Sequence, residues 1–145
     1  MIIKVNNVDD ANICDEFLTL LIQDERKYDN TIDENFIVKD YFINMINGEN
    51  ILLLYKDEDI PKGYIFAKKI NDYYLIDGLY VDTSFRNMGI AKRLIKEIIK
   101  EIHSFGNYKI YINVLKENKI ALELYKIIGF SIIEETDSKY HMEYI

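Results

Sequence analysis

One cysteine, one proline, two histidines and no tryptophan occur in the 145 residues. The single Cys14 excludes an intramolecular disulfide and a cysteine metal cluster, so no metal is expected. With one proline and six glycines, no Gly/Ser/Pro-rich stretch reads as a linker, and the length suits one domain over residues 1–145. Long apolar runs are also missing. Nothing approaches the ~18 residues of a membrane span, and the longest compact run, Ile51 to Tyr55, is strand length. The start, MIIKVNNVDD, lacks the apolar core and cleavage signal of a secretory leader. The expectation is a soluble, cytoplasmic protein without membrane contact. Positive charge is in deficit: 25 acidic and 18 basic side chains give a net charge of −7. That argues against a nucleic-acid partner, which calls for a basic surface. It is compatible with a cationic substrate steered by an acidic surface.

What the chain does have is periodicity. Ile2 to Val5 predicts a short strand. From Val8 the spacing becomes helical, with Ile13, Phe17, Leu20 and Leu21 on one face and Cys14 bordering it as a small buried hydrophobe. A polar loop over residues 24–34 precedes a second helix carrying Phe36, Ile37, Tyr41 and Ile43 to Ile46, which stops at Asn47-Gly48. Residues 50–56, 63–70 and 73–81 read as three consecutive strands, an antiparallel meander. After Gly89 the apolar positions Ile90, Leu94, Ile95, Ile98, Ile99 and Ile102 predict an amphipathic helix ending near Phe105-Gly106. A strand over 108–114, a helix over 118–128 ended by Gly129, and strands over 130–135 and 139–144 complete the order β α α β β β α β α β β. The strand–helix–strand at 73–114 requires a parallel crossover. The fold class is therefore α/β (α+β): a mixed, mainly antiparallel six- to seven-stranded sheet with helices on both faces.

Two constellations stand out. In GLYVDTSFRNMGIAKRL, a helix opens on Gly89 with no Ser, Thr or Asp directly beside it. The first four N–H groups of a helix lack internal partners, and the helix dipole adds positive charge there. Read alone, Gly89 either eases a turn or leaves the helix start open to an anion. In NVLKENKIALELYKIIGF, Asn118, Ala121 and Tyr125 fall at i, i+3 and i+7 on one helix face. Read alone, Asn118 is an N-cap and Tyr125 a half-buried core aromatic, or the stripe is a wall along which a slender ligand lies.

Arg86-Asn87-Met88-Gly89-Ile90-Ala91 resembles the R/Q-x-x-G-x-G/A acyl-CoA pyrophosphate motif of the GCN5-related N-acetyltransferase (GNAT) family. Asp77-Gly78-Leu79-Tyr80-Val81 is similar to the E-G-x-x-V strand of many bacterial members. N-x-x-A-x-x-x-Y with Gly129-Phe130 resembles the family's other motif. The element order matches over essentially the whole chain. Asp82-Thr83-Ser84 lacks a proline common there, and Ala91 replaces the commoner second glycine.

The resemblance implies acetyl-CoA as co-substrate. Its pyrophosphate would lie on the backbone N–H groups of Asn87, Met88, Gly89, Ile90 and Ala91, with Arg86 shaping the loop. Its pantetheine would pair with the open edge of Leu79, Tyr80 and Val81 where the central strands splay apart, with Gly78 either starting the splay as a bulge or serving as a plain packing glycine. Asn118 and Ala121 would contact the cofactor, and Tyr125 would protonate the departing thiolate. The acceptor amine must be neutral to attack, so a base is needed. Asp77 is the best single candidate, its other readings being a strand-end charge or a structural hydrogen bond. His103 reads as a surface residue and His141 as a lesser cleft candidate. Glu34 and the other acids of the 24–34 loop read as an amine-binding rim or a solvated loop. The expected function is acetyl transfer to a primary amine of a small, cationic acceptor by direct attack on the thioester. The alternative is a non-catalytic acyl-CoA sensor or partner-binding domain on the same fold. A homodimer is left open.

Overall fold

The computed structural model describes residues 1–46 and 48–145. Seven strands form one sheet: β1 (Ile2–Lys4), β2 (Ile51–Asp57), β3 (Ile60–Ile70), β4 (Tyr73–Val81), β5 (Lys109–Leu115), β6 (Phe130–Glu135) and β7 (Lys139–Tyr144), in the order β1-β2-β3-β4-β5-β7-β6. All neighbours are antiparallel except β4 and β5. The parallel pair is the expected crossover, made by α3 (Ile90–Phe105). The β2–β3 turn is tight, with Glu58 and Asp59 both at positive φ.

Each face of the sheet carries its own core. On one, Leu94, Ile95, Ile98 and Ile102 of α3 and Leu122 of α4 (Lys119–Ile128) cover Ile51, Ile65, Ile76 and Ile112. On the other, α1 (Val8–Asp24) and α2 (Tyr41–Met45) cover Leu52, Leu54, Tyr64, Phe66 and Tyr80. Alternation along each strand supplies one residue to each face in turn, which is why β2 and the middle of β3 are buried throughout.

Two expectations on the α1 side need correction. The buried stripe of α1 runs through Ala11, Cys14 and Phe17, with Leu20 46% exposed, so Cys14 lies at the centre of the face. The rotation follows from two acids that sequence periodicity assigns to water: Asp10 and Asp15 are buried because they have partners. Asp10 binds Asn7 and Lys56. Asp15 accepts from the Phe42 N–H at 3.0 Å. The second helix is also shorter than its apolar pattern. Phe36 and Ile37 lie in non-helical chain, 45% and 64% exposed, and only Tyr41–Met45 is helical. The expected stop at Asn47-Gly48 falls partly on Asn47, outside the described residues; Gly48 has φ 77°.

The non-helical stretch is held by a ladder on α1. Asp15, Thr19 and Gln23 recur every fourth residue on one face. Asp15 takes the Phe42 N–H, Thr19 Oγ1 takes the Val38 N–H at 2.9 Å, and Gln23 Nε2 donates to the carbonyls of Asp33 and Phe36. Replacing Asp15→Ala strands the Phe42 N–H beside a buried ring. Urea unfolding should register a loss of about 1–3 kcal/mol, and proteolysis within residues 28–40 should accelerate.

Candidate active site

β4 and β5 are hydrogen-bonded only from Tyr73↔Lys109 to Ile76↔Ile112. Beyond that, β4 pairs only with β3, and β5 only with β7. The cause lies in the β3–β4 register. Ala67 faces Ile76 and Phe66 faces Gly78, so Asp77 is an extra residue without a partner. A bulge of this kind bends and twists the strand, turning the end of β4 away from β5. The splay expected at Gly78 thus starts one residue earlier. Gly78 fits the packing reading: a Cβ there would lie 2.6 Å from Tyr64 Oη.

A cleft of about 720 Å³ opens at the wedge. Its floor is Ile76 to Leu79 of β4 and Ile112 to Leu115 of β5. α4 supplies Asn118 and Tyr125, and the 21–39 region supplies a mostly apolar wall that includes Phe36, Ile37 and Val38. Asp77 and Tyr125 therefore share one cleft. Asp77 is open to it yet walled in, and this desolvation raises its pKa, with Lys68 and Lys139 pulling the other way. Tyr125 is 7% exposed, and burial first, then the charge of Glu25, pushes its phenol up to about 12. Asn118 is the N-cap of α4, its side chain accepting from the Ala121 N–H at 3.2 Å. The capping and cleft-lining readings of Asn118 hold together. Ala121 packs against the α3-side core and does not line the cleft.

The other predicted residues lie elsewhere. Arg86 to Ala91 line no part of the cleft. They form the turn from β4 into α3, exposed at Arg86, Asn87, Met88 and Gly89, while Ile90 enters the core. Asn87 and Gly89 have φ of 65° and 77°. Gly89 is the N-cap of α3 with no side-chain hydrogen bond, and a Cβ on it would meet nothing within 4 Å. The helix start is thus open, and its left-handed backbone, not crowding, calls for glycine. Arg86 Nε donates to the Val81 carbonyl at 3.0 Å and its guanidinium lies over Tyr80, pinning the loop to the end of β4. The Tyr80 ring belongs to the α1-side core, 5.9 Å from Phe17, and Leu79 and Val81 pack on the opposite core. The edge of residues 77–81 facing β5 has no strand pairing among the described residues.

His103 lies at the exposed end of α3 beside Tyr144. His141 Nδ1 is hydrogen-bonded to Asn113 Oδ1, and the ring does not line the cleft. Glu34 is exposed and pairs with Arg26 at 3.7 Å. The acids of that loop that reach the cleft are Asp24 and Glu25, with Lys39 and Lys139 also lining it. Burial raises the Glu25 pKa, with Lys139 opposing. Asp24 is the last residue of α1 and Glu25 the first beyond it, so the loop expected over 24–34 begins one residue later, and nothing in the sequence separated these two acids from Glu34.

The Gly78–Tyr64 contact makes a prediction. Gly78→Ala should cost about 1–3 kcal/mol by overpacking. The double variant with Tyr64→Phe should recover part of that loss in a thermal melt, because the atom nearest the new methyl is the hydroxyl.

Residues 15–130 match the sequence model of the acetyltransferase (GNAT) family. A ribosomal protein bS18-alanine N-acetyltransferase of Haemophilus ducreyi is 26% identical over 104 residues, 72% of each chain. Among solved structures, a ribosomal-protein-alanine N-acetyltransferase from Brucella melitensis superposes with a TM-score of 0.83 at 14% identity, covering 100% of this chain and 99% of that one. An aminoglycoside 6'-N-acetyltransferase in complex with coenzyme A superposes with a TM-score of 0.73 at 19% identity, covering 99% and 95%. At these identities the two structures establish the shared fold. With the family match over most of its length, the chain belongs to the acetyltransferase (GNAT) family and is an N-acetyltransferase.

Proposed function

We propose that this protein acetylates a primary amine of a small, cationic acceptor by direct attack on the thioester of acetyl-CoA. The observation that carries the proposal is that Asp77 and Tyr125 line one cleft at the open wedge between β4 and β5. The wedge fits the donor. A free strand edge can hydrogen-bond the amides of an extended pantetheine. An uncapped helix start with a left-handed glycine can hold a pyrophosphate on the N–H groups of residues 87–91. Acetyl-CoA supplies an activated acyl group and a thiol leaving group.

The chain's own groups do the rest. A backbone N–H within Leu79–Val81 polarises the carbonyl. Asp77 accepts the proton of the acceptor's ammonium, directly or through water, so that a neutral amine is presented. Because it acts ionised, activity should fall as pH drops through its raised pKa. Tyr125, neutral at working pH, gives its proton to the thiolate as the carbon–sulfur bond breaks, and the proton that the nitrogen sheds on forming the amide restores the phenol. A thiolate leaving into the same desolvated region has its proton affinity raised as well, which lessens the mismatch with a phenol near 12. Three carboxylates, Asp24, Glu25 and Asp77, outnumber the two lysines, Lys39 and Lys139, and with the apolar wall favour an amine carried on a partly apolar body. The names of the relatives span an aminoglycoside and a ribosomal-protein alanine, so a panel should include aminoglycosides, polyamines, lysine and an alanine-ended peptide.

Thiol release with such a panel tests the proposal directly, and absence of both turnover and CoA binding by calorimetry would overturn it. Paired variants separate the roles. Tyr125→Phe should lower kcat about 100-fold, within the range for a general acid, with CoA affinity unchanged. Gly89→Val should weaken CoA binding at least about tenfold, since a β-branched residue disfavours the left-handed backbone of the loop. A protein that binds CoA and is indifferent to Tyr125→Phe is a sensor.

A further inference from the structure

Of the three carboxylates that line the cleft, one is already paired: Asp24 lies 3.5 Å from Lys27. Glu25 and Asp77 form no ion pair and no side-chain hydrogen bond among the described residues. Both are nonetheless walled in far enough for desolvation to raise their pKa values. An anion kept from water without a partner costs free energy, which a cation entering the cleft offsets. The charges acting on Glu25 are Lys139, Asp24 and Asp29, and those acting on Asp77 are Lys68 and Lys139. The two carboxyls do not act on one another, so the cleft has two separate anionic poles. Lys139 is common to both, exposed, and bonded to neither. The charge of Glu25 is also felt at the Tyr125 phenol, which ties its pole to the transfer site. Just before it on α1, Leu18, Leu21 and Ile22 line the cleft with aliphatic side chains.

We propose that Glu25 is a specificity-determining residue of the transfer site: it holds the second, non-reacting ammonium of an acceptor that carries two, an aliphatic diamine or polyamine whose first nitrogen is acetylated beside Asp77. This rests on the transferase reading above. The remote nitrogen stays protonated at working pH, since an alkylammonium titrates at about 10. It supplies the partner that Glu25 lacks, while the methylenes between the nitrogens run along the apolar wall. Lys139 repels such an acceptor, and so limits both poles without filling either. Transfer turns one ammonium into a neutral amide. The product keeps one of the two contacts, which favours its release.

A series of α,ω-diamines, each set against the amino alcohol of the same length, tests this, because only the remote charge differs. For the best diamine, kcat/KM should exceed that of its amino alcohol by about tenfold or more, in the range for a hydrogen bond to a charged group. Glu25→Gln should erase that preference mainly through KM, Glu25→Asp should restore part of it, and Lys139→Met should enlarge it, with CoA affinity unchanged. A binding measurement needs no turnover. With CoA present, 1,5-diaminopentane should lower the titration of the Glu25 carboxyl, followed by carbon-13 NMR, by about 0.5–1 unit, because a nearby cation favours the ionised form. Equal turnover of diamines and amino alcohols by the wild type overturns the proposal, and so does a Glu25 titration that the diamine leaves unmoved. A Glu25→Gln loss of the same size for both acceptors also overturns it, and assigns Glu25 to proton transfer instead. If the titration falls but no amine is acetylated, the second-ammonium site stands and the transferase reading fails.

Discussion

A mismatch of one residue between two paired strands governs this protein. β4 must satisfy β3 along its whole length, yet part from β5 after four pairs. Asp77, counted on β4 and uncounted on β3, reconciles the two. Were the register unbroken, β4 and β5 would continue side by side, and no strand edge would be free at the centre of the sheet. The same extra residue carries the cleft's central carboxylate, so the geometry that opens the wedge also places an ionisable group in it. Gly78 follows because the hydroxyl beneath leaves no room for a side chain.

The two cores divide the labour. α3 and α4 bury a nearly continuous aliphatic surface on one face, and this side holds β4 and β5 in their diverging course. The other core is richer in aromatic rings and contains the polar exceptions: Asp10, Asp15 and the Tyr64 hydroxyl. The cleft draws on both cores, with Ile76, Ile112, Val114 and Tyr125 from one and Phe42 and Phe66 from the other.

Strand and helix order was legible because aliphatic periodicity is strong: β4, α3, β6 and β7 fall at or within one residue of their predicted bounds. Motif spacing located the β4–α3 turn and the Tyr125 face. What was not legible was the α1 side. There, Asp10 and Asp15 are buried by partners distant in sequence, Lys56 and Phe42, and no local pattern announces such pairs. The apolar Phe36 and Ile37 look helical by spacing, but the Val38 N–H donates to Thr19 Oγ1 and Gln23 Nε2 donates to the Phe36 carbonyl, tying this non-helical stretch to α1. The bulge residue could not be told from its neighbour, since glycine marks a close approach whether or not it is the unpaired residue. Nor did the sequence distinguish Glu25 from Glu34. Which acid faces the cleft depends on how the chain leaves α1.

The ladder of Asp15, Thr19 and Gln23 has an evolutionary consequence. These side chains grip the adjoining stretch by its peptide groups, which every residue except proline presents alike. The stretch therefore keeps its path whatever side chains it displays. Phe36 and Ile37, half exposed at the cleft wall, are free to vary without unpicking either core. Surface substitutions there can reshape the cleft wall while the strands and helices beneath keep their places.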